Sequence, residues 1–159
     1  MDNDRKLKVC LISSSGGHLA QLKQLLPLVS SKYNYFLVTE KNETSLSLQK
    51  NHPTMFLKQQ ERKNISFVKN FTINLFKSVW ILLKQKPDVI ISTGAGAVLP
   101  LCVLGALFGK KVVFLESFAK ITSPTITGRI IYKFADRFYV QWEEMNEIYP
   151  KATYKGAIY

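Results

Sequence analysis

The chain has 159 residues, 47% of them hydrophobic and 21% charged, which is enough to build one domain around a buried core. This composition excludes an intrinsically disordered chain and a small fold that depends on disulfides. Lysine and arginine outnumber aspartate and glutamate by 22 to 11, giving a formal net charge of +11. Such an excess predicts an anionic partner, which is a nucleic acid, an acidic membrane surface or a phosphorylated ligand.

Two features of the sequence indicate the cellular compartment. The first six residues contain no apolar signal region, and the longest apolar run, 95–108, is shorter than the roughly 20 residues of a membrane span. We therefore expect a cytoplasmic protein. Cys10 and Cys102 lie inside apolar runs, and we expect buried thiols in a reducing compartment.

Short apolar runs alternate with helical periodicity along the chain. In chain order, the pattern predicts a strand at 8–13, a helix from about 19 to 29, strands at 35–39 and 54–57, a helix at 66–85, a strand at 88–93, a helix from the glycine turn to about 109, a strand at 111–115, a helix at 125–135, a strand at 137–140 and a short helix at 143–149. This alternation predicts an α/β fold, a Rossmann-like open parallel sheet with right-handed crossovers, in one domain over 1–159.

A glycine turn follows the first strand. Ser15, Gly16 and Gly17 precede a helix whose free N–H groups and partial positive charge suit a diphosphate, although a tight turn without a ligand is the alternative. The full G-x-G-x-x-G spacing is missing, which disfavours a dinucleotide-dependent oxidoreductase. His18, just inside the helix, is either a general base or phosphate ligand, or a structural histidine.

A second glycine loop, with Gly94, Ala95 and Gly96, follows the strand at 88–93. It either lines a ligand crevice or allows close helix–strand packing. Glu116 follows the strand at 111–115, so it either orients or deprotonates an acceptor hydroxyl, or caps the next segment. Ligands bind at the carboxyl ends of parallel strands where strand order reverses, so we expect all these residues at one crevice.

The helix at 66–85 carries two apolar stripes. The stripe predicted to face the core consists of Val68, Phe71, Leu75, Val79 and Leu82. The other mixes aromatic and basic residues and is predicted to contact an anionic membrane surface through Lys69, Ile73, Phe76, Lys77, Trp80 and Lys84. An interface with a protein partner is the alternative. A nucleic-acid partner is not expected, because no binding motif is recognisable.

Several short motifs occur in a characteristic order: 16–19, 87–96, 116–117, 128–129, 140–142, 149–150 and 154–156. Together they resemble the acceptor-side subunit of split UDP-sugar glycosyltransferases. That group includes the membrane-recruiting subunit of the dolichol-pathway N-acetylglucosaminyltransferase and its bacterial counterparts in capsule and exopolysaccharide synthesis. It is similar to the N-terminal half of the peptidoglycan transferase of GT-B architecture.

The resemblance implies that this chain is the N-terminal half of a GT-B enzyme, and that a separate donor-binding glycosyltransferase subunit holds most of the UDP-sugar. The acceptor would be a polyprenyl-diphosphate-linked saccharide in capsule or exopolysaccharide synthesis. Gly16, Gly17 and His18 would lie at the acceptor diphosphate or the reaction centre, and Gly94 and Gly96 would form the second loop of the crevice.

Two functions therefore remain open. The chain is either a glycosyltransferase subunit that is active only with its partner, or a non-catalytic subunit that recruits and activates that partner at the membrane. In both cases we expect a peripheral protein on the inner face of the plasma membrane, without a cofactor. No metal site is expected, because no cluster of histidine, aspartate and glutamate has ligand spacing.

Overall fold

The computed structural model describes residues 5–60 and 66–159. Within these two ranges the chain forms seven strands and five α-helices, joined in places by single turns of 3₁₀ helix. In chain order they are β1 (Lys8–Ile12), α1 (Gly17–Lys32), β2 (Asn34–Glu40), α2 (Glu43–Leu46), β3 (Thr54–Leu57), α3 (Ser66–Gln85), β4 (Val89–Ser92), α4 (Leu99–Leu107), β5 (Lys111–Leu115), α5 (Ile126–Ile131), β6 (Arg137–Val140) and β7 (Thr153–Tyr154).

The seven strands form one parallel sheet in the order β3-β2-β1-β4-β5-β6-β7. Strand order reverses at β1, whose Ile12 pairs with Val38 of β2 on one side and Ser92 of β4 on the other. In open α/β sheets this reversal opens a crevice at the carboxyl ends of the two strands. The predicted Rossmann-like parallel sheet is confirmed.

Side chains of β1 alternate between two cores, as the period of two in a strand requires. Val9 and Leu11 pack beneath α1, whereas Cys10 and Ile12 belong to the larger core on the opposite face of the sheet. Both cysteines are buried and unpaired in that larger core. Burial raises the pKa of the Cys102 thiol to about 12 and raises that of Cys10 as well, so both are inert packing groups, as predicted.

Some element boundaries differ from those predicted. The helix predicted at 125–135 is shorter, and the segment predicted as a helix at 143–149 is a 3₁₀ helix at Glu143–Glu147. Two elements had no prediction: the two-residue β7 and the single-turn α2. Helix α2 is capped by Asn42, whose side chain accepts a hydrogen bond from the backbone N–H of Ser45. Such short elements depend on local polar bonds and have no hydrophobic period to reveal them.

Helix α3 is turned differently from the prediction. Val68 is 68% exposed and Leu75 is also exposed, so the predicted core stripe is wrong at both positions. The fully buried side chains of α3 are Asn74, Ser78, Ile81 and Leu82. Asn74 explains the rotation, because its side chain accepts a hydrogen bond from the backbone N–H of Lys58 (2.8 Å) and donates one to the carbonyl of the same residue (2.9 Å).

The exposed side of α3 is consequently apolar. We call the exposed side chains of Val68, Leu75, Phe76, Trp80 and Leu83 the apolar stripe. Within 5–60 and 66–159, no helix has both the length and the hydrophobicity that crossing a bilayer requires.

Candidate functional site

The two glycine loops meet at the carboxyl ends of β1 and β4. The backbone N–H of Ser14 donates to the carbonyl of Gly94 at 2.8 Å, and the N–H of Ala95 donates to the Ser14 hydroxyl at 3.1 Å. These bonds join segments 80 residues apart in the chain, so the loops form only once the parallel sheet is assembled. The two glycine loops therefore lie side by side at this edge of the sheet, as expected.

His18 is oriented by the loop that follows β4. Its Nδ1 lies 2.7 Å from the carbonyl oxygen of Thr93, and the Thr93 hydroxyl donates in return to the His18 carbonyl at 2.8 Å. A carbonyl oxygen only accepts hydrogen bonds, so Nδ1 carries the proton in this arrangement. In the neutral imidazole this leaves a lone pair on Nε2, to which no residue of the described chain donates a hydrogen bond.

Gly94 provides the space for the His18 ring. Its φ is +93°, and a Cβ at this position would lie 3.1 Å from Nδ1 and 3.2 Å from Cε1 of His18. Both the backbone conformation and the contact therefore favour glycine. This glycine acts by allowing the ring to pack closely.

A cavity of about 500 Å3 opens beside His18. It lies between the first turn of α1, the loops after β3, β4 and β5, and the N-terminal ends of α3 and α5. Part of its lining is apolar and part is polar. The lining side chains are Phe67, Phe71, Ala95, Leu99, Pro124 and Ile126 on the apolar side and His18, Gln60, Lys120, Thr125 and Thr127 on the polar side, with Gly96 completing it. None of these residues is acidic, so the cavity suits a ligand with both an anionic and an apolar part.

The first glycine loop lies next to this cavity and is fixed by Glu40, the last residue of β2. The buried Glu40 carboxylate accepts hydrogen bonds from the backbone N–H (3.0 Å) and the hydroxyl (2.9 Å) of Ser15. Gly16 has a φ of +73°, and α1 begins after it without a capping side chain or an acidic residue in its first turn. Ser15 thus positions the loop, whereas the first turn of α1 keeps free N–H groups that favour an anion.

Of the residues predicted to bind substrate, only Ala95 and Gly96 line the cavity. Gly16 and Gly17 flank His18 on its N-terminal side and are exposed. Gly94 is buried under the His18 ring.

Glu116 lies one layer deeper and is 1% exposed. Its carboxylate accepts hydrogen bonds from the N–H of Ser117 (2.9 Å), from the N–H (3.2 Å) and hydroxyl (2.9 Å) of Thr125, and from the hydroxyl of Tyr149 (3.0 Å). Thr125 is in turn the N-cap of α5, since its hydroxyl accepts the N–H of Gly128 at 2.8 Å. The geometry supports the capping alternative for Glu116, which holds the wall of the cavity in place.

The six predicted membrane-contact residues do not share one environment. Phe76 is 70% exposed and Trp80 52% exposed, and Lys84 Nζ lies 4.6 Å from the centre of the Trp80 ring. Lys69 is exposed as well. Ile73 is half-buried. Lys77 is also half-buried, and its Nζ donates to the carbonyl of Phe56 at 2.9 Å.

Most of the cavity lining was not predicted for the site, and the unpredicted residues at or beside the cavity include the polar side chains of Glu40, Gln60 and Lys120. Glu40 could have been predicted from the sequence, because it ends a strand at the same edge of the sheet as His18 and Glu116. Gln60 and Lys120 lie in irregular segments that have no periodic pattern.

Across 5–60 and 66–159, no group of three histidine, cysteine, aspartate or glutamate side chains could hold a metal ion.

Comparison with solved structures finds this fold both in MurG and in UDP-N-acetylglucosamine 2-epimerases. MurG of Acinetobacter baumannii superposes with a TM-score of 0.73 at 15% sequence identity, over 94% of this chain and 44% of the MurG chain. This likeness concerns the fold alone, and the chain spans less than half the length of that enzyme.

Comparison of the sequence with curated proteins identifies closer relatives. The chain is 26% identical to the mouse (Mus musculus) UDP-N-acetylglucosamine transferase subunit ALG14, over 96% of this chain and 83% of the mouse protein. It is 30% identical to the subunit of the same name from Schizosaccharomyces pombe, over 91% of this chain and 80% of that protein. Residues 9–158 match the family described as "Oligosaccharide biosynthesis protein Alg14 like". Because this match covers nearly the whole chain, the protein belongs to the Alg14-like family of oligosaccharide biosynthesis proteins.

Proposed function

We propose that this chain is the acceptor-side subunit of a two-component glycosyltransferase, and that it supplies the base that activates the acceptor hydroxyl. The acceptor would be a polyprenyl-diphosphate-linked saccharide. The donor would be a UDP-sugar held mainly by the partner subunit. The relatives are named as UDP-N-acetylglucosamine transferase subunits, so UDP-N-acetylglucosamine is the first donor to test.

The observation that carries this proposal is the orientation of His18. The bond from Nδ1 to the Thr93 carbonyl fixes the ring and its tautomer and keeps Nε2 available at the cavity. In the proposed reaction, Nε2 accepts the proton of the acceptor hydroxyl while the hydroxyl oxygen attacks the anomeric carbon of the donor. The bond between that carbon and the UDP oxygen breaks, UDP leaves, and the configuration at the sugar inverts.

The surroundings of His18 fit the two ends of such an acceptor. The diphosphate would bind near the free N–H groups of the first turn of α1 and near Lys120. The prenyl chain would follow the apolar side of the cavity along Phe71 and Phe67, which lie on the helix that carries the apolar stripe.

The apolar stripe supports peripheral binding to the membrane that contains such an acceptor. Exposed aromatic side chains beside lysines are typical of helices that lie in the interfacial region of an anionic bilayer. The inner face of the plasma membrane as the location rests on the sequence-based prediction and not on the stripe. Capsule or exopolysaccharide synthesis as the biological context rests on the resemblance of the sequence motifs alone, because the named relatives do not point to it.

The catalytic proposal is tested with a His18→Ala variant, mixed with the partner subunit, a polyprenyl-diphosphate glycan and radiolabelled UDP-sugars. Loss of a general base lowers the rate typically by 10²–10⁴-fold, so we expect a loss in this range with the donor KM unchanged. The matched control is His52→Ala. His52 is the only other histidine, and its Nδ1 lies 2.8 Å from the Tyr35 hydroxyl, far along the chain from both glycine loops.

The alternative, a subunit that only recruits and activates its partner, predicts a different result. In that case His18→Ala would transfer sugar at the rate of the unaltered chain while still binding the partner in a pull-down. That outcome would refute the catalytic role of His18, and the chain would then be a subunit that recruits its partner.

Membrane binding is tested separately by co-sedimentation with vesicles. Replacing Phe76 and Trp80 by serine is expected to release the chain from vesicles, because each exposed aromatic ring contributes on the order of 1–2 kcal/mol when it inserts. Leu28→Ser on the exposed side of α1 is the control. Equal binding of both variants would exclude the apolar stripe as the membrane contact and leave the interface with a protein partner as the alternative.

A further inference from the structure

A second cavity, of about 430 Å3, lies at the edge of the sheet on the opposite side of Glu40 from the first glycine loop. Three lysines line it: Lys41, Lys58 and Lys77. The remaining lining residues, Leu57, Gln59 and Asn70, carry no charge. This cluster does not belong to the His18 site, and of its three lysines only Lys77 is among the predicted membrane contacts.

Each of the three lysines is attached to a rigid element. The backbone N–H of Lys41 donates to the carbonyl of Leu57 at 3.1 Å, directly after β2. Lys58 follows β3 and is held by Asn74 through both its N–H and its carbonyl group. Lys77 lies on α3 and uses one of its three ammonium donors on Phe56, which leaves two for a ligand. The fold therefore places the backbones of the three lysines around one cavity, and the ammonium group of Lys77 is itself held there.

These lysines have no acidic counterpart in the part of the chain that the structure describes. The two ion pairs found there are Arg5 with Asp88 and Lys111 with Asp136, both at other places. The neighbouring Glu40 carboxylate is occupied by Ser15 and by the N–H of Gln60. Burial, Lys58 and Lys41 together lower the pKa of Lys77, which shows the mutual repulsion that an anion would relieve.

The position of the cavity indicates where the anion comes from. At about 100° per residue, Lys77 lies only about 100° from Phe76 and about 60° from Trp80 around α3. The three-lysine cavity thus borders the apolar stripe. When the stripe rests on a bilayer, the cavity lies at the depth of the lipid headgroups.

We propose that Lys41, Lys58 and Lys77 bind the terminal phosphate group of a membrane lipid headgroup. Three ammonium groups complement a phosphate monoester, which carries close to two negative charges at neutral pH, better than a singly charged phosphodiester. The inference rests on the membrane docking of the apolar stripe proposed above. Its consequence is selectivity: the chain binds one class of anionic lipid in preference to others.

The test uses the full chain and three kinds of vesicle: phosphatidylcholine alone, phosphatidylcholine with phosphatidic acid, and phosphatidylcholine with phosphatidylglycerol at equal surface charge. The variant is Lys41→Gln with Lys58→Gln. Its control is Lys23→Gln with Lys32→Gln, two exposed lysines of α1 whose removal changes the net charge equally. A lysine near an anionic surface contributes about fivefold in affinity, so we expect the first variant to lose about tenfold or more on phosphatidic acid and the control less than about threefold.

Each result has one meaning. Selective loss on phosphatidic acid, with binding to neutral vesicles retained, supports the proposal. Equal losses in the two variants, or equal affinity of the unaltered chain for the two anionic vesicles, overturn it in favour of a diffuse charge effect. Binding of inorganic phosphate that depends on Lys41 and Lys58, without any effect on vesicles, overturns the lipid source. Failure of the membrane proposal is distinguished by vesicle binding that does not change when Phe76 and Trp80 are replaced by serine, and failure of the catalytic proposal by the transfer assay in detergent.

Discussion

Replacing Glu116 by glutamine distinguishes a catalytic carboxylate from a structural one. The change keeps the size of the side chain and turns one acceptor oxygen into an NH2 donor. In one orientation the new donor faces the N–H of Ser117, and in the other it faces the N–H of Thr125. A buried backbone N–H therefore loses its acceptor whichever way the amide points.

The magnitude follows from these contacts. Leaving one buried donor unpaired costs about 1–3 kcal/mol, and the remaining bonds to Thr125 and Tyr149 weaken because their acceptor is no longer charged. The glutamine side chain is uncharged, so the cost of burying a charge disappears and offsets part of this destabilisation. We expect a net destabilisation of about 3 kcal/mol, which for a chain of this size lowers the midpoint of thermal unfolding by about 6–12 °C.

The assay combines thermal unfolding, followed by circular dichroism, with sugar transfer at a temperature where both proteins are folded. Glu143→Gln, which changes an exposed carboxylate in the 3₁₀ helix, is the control and is expected to unfold like the unaltered chain. Glu116→Gln should unfold earlier yet transfer sugar within about threefold of the normal rate. Unchanged stability together with a loss of transfer above about 100-fold would refute the capping role and restore Glu116 as a catalytic residue.

Three further outcomes are expected. Gly94→Ala should slow transfer by about tenfold or more without loss of the fold, because its Cβ moves the His18 ring; unchanged transfer would contradict this packing. Asp136→Asn should lower the free energy of unfolding at pH 7 by less than about 1 kcal/mol after allowance for solvent screening. The hydrogen bond from Lys111 holds the pKa of Asp136 below its usual value, so this difference should disappear in urea titrations as the pH falls below about 4. Cys102, whose pKa is raised to about 12, should react with a thiol reagent at pH 8 only as fast as the chain unfolds; rapid labelling of the folded protein would show that the core is open.

The strands were the most predictable part of the fold. Six of them were located to within a residue or two, because a strand buried on both faces is a short, continuous apolar run such as Val112 to Leu115. The loops at the carboxyl ends of β1 and β4 followed from the topology of any parallel sheet. The bond between His18 and Thr93 could not be predicted, because it joins residues 75 positions apart and depends on the exact course of two loops.

The rotation of α3 was mispredicted for a different physical reason. Hydrophobic periodicity assumes that the most apolar side of a helix faces the core. Here Asn74 and Ser78 are buried, and the two hydrogen bonds between the Asn74 side chain and Lys58 fix the inward face. The Ser78 hydroxyl is satisfied within the helix, where it donates to the Asn74 carbonyl at 2.7 Å. Apolar side chains that face outward are typical of a surface that contacts something other than water.

The hydrogen bonds between Asn74 and Lys58 therefore separate two properties that usually coincide in a helix: which side is hydrophobic and which side is buried. An Asn74→Leu chain would present apolar residues on almost every side of α3, and several rotations about the helix axis would bury comparable area. The two hydrogen bonds between Asn74 and Lys58 disfavour these alternatives, since any other rotation breaks both bonds. The polar residue thus keeps Phe76 and Trp80 on the outside, and it does so at the cost of core hydrophobicity that a leucine would supply.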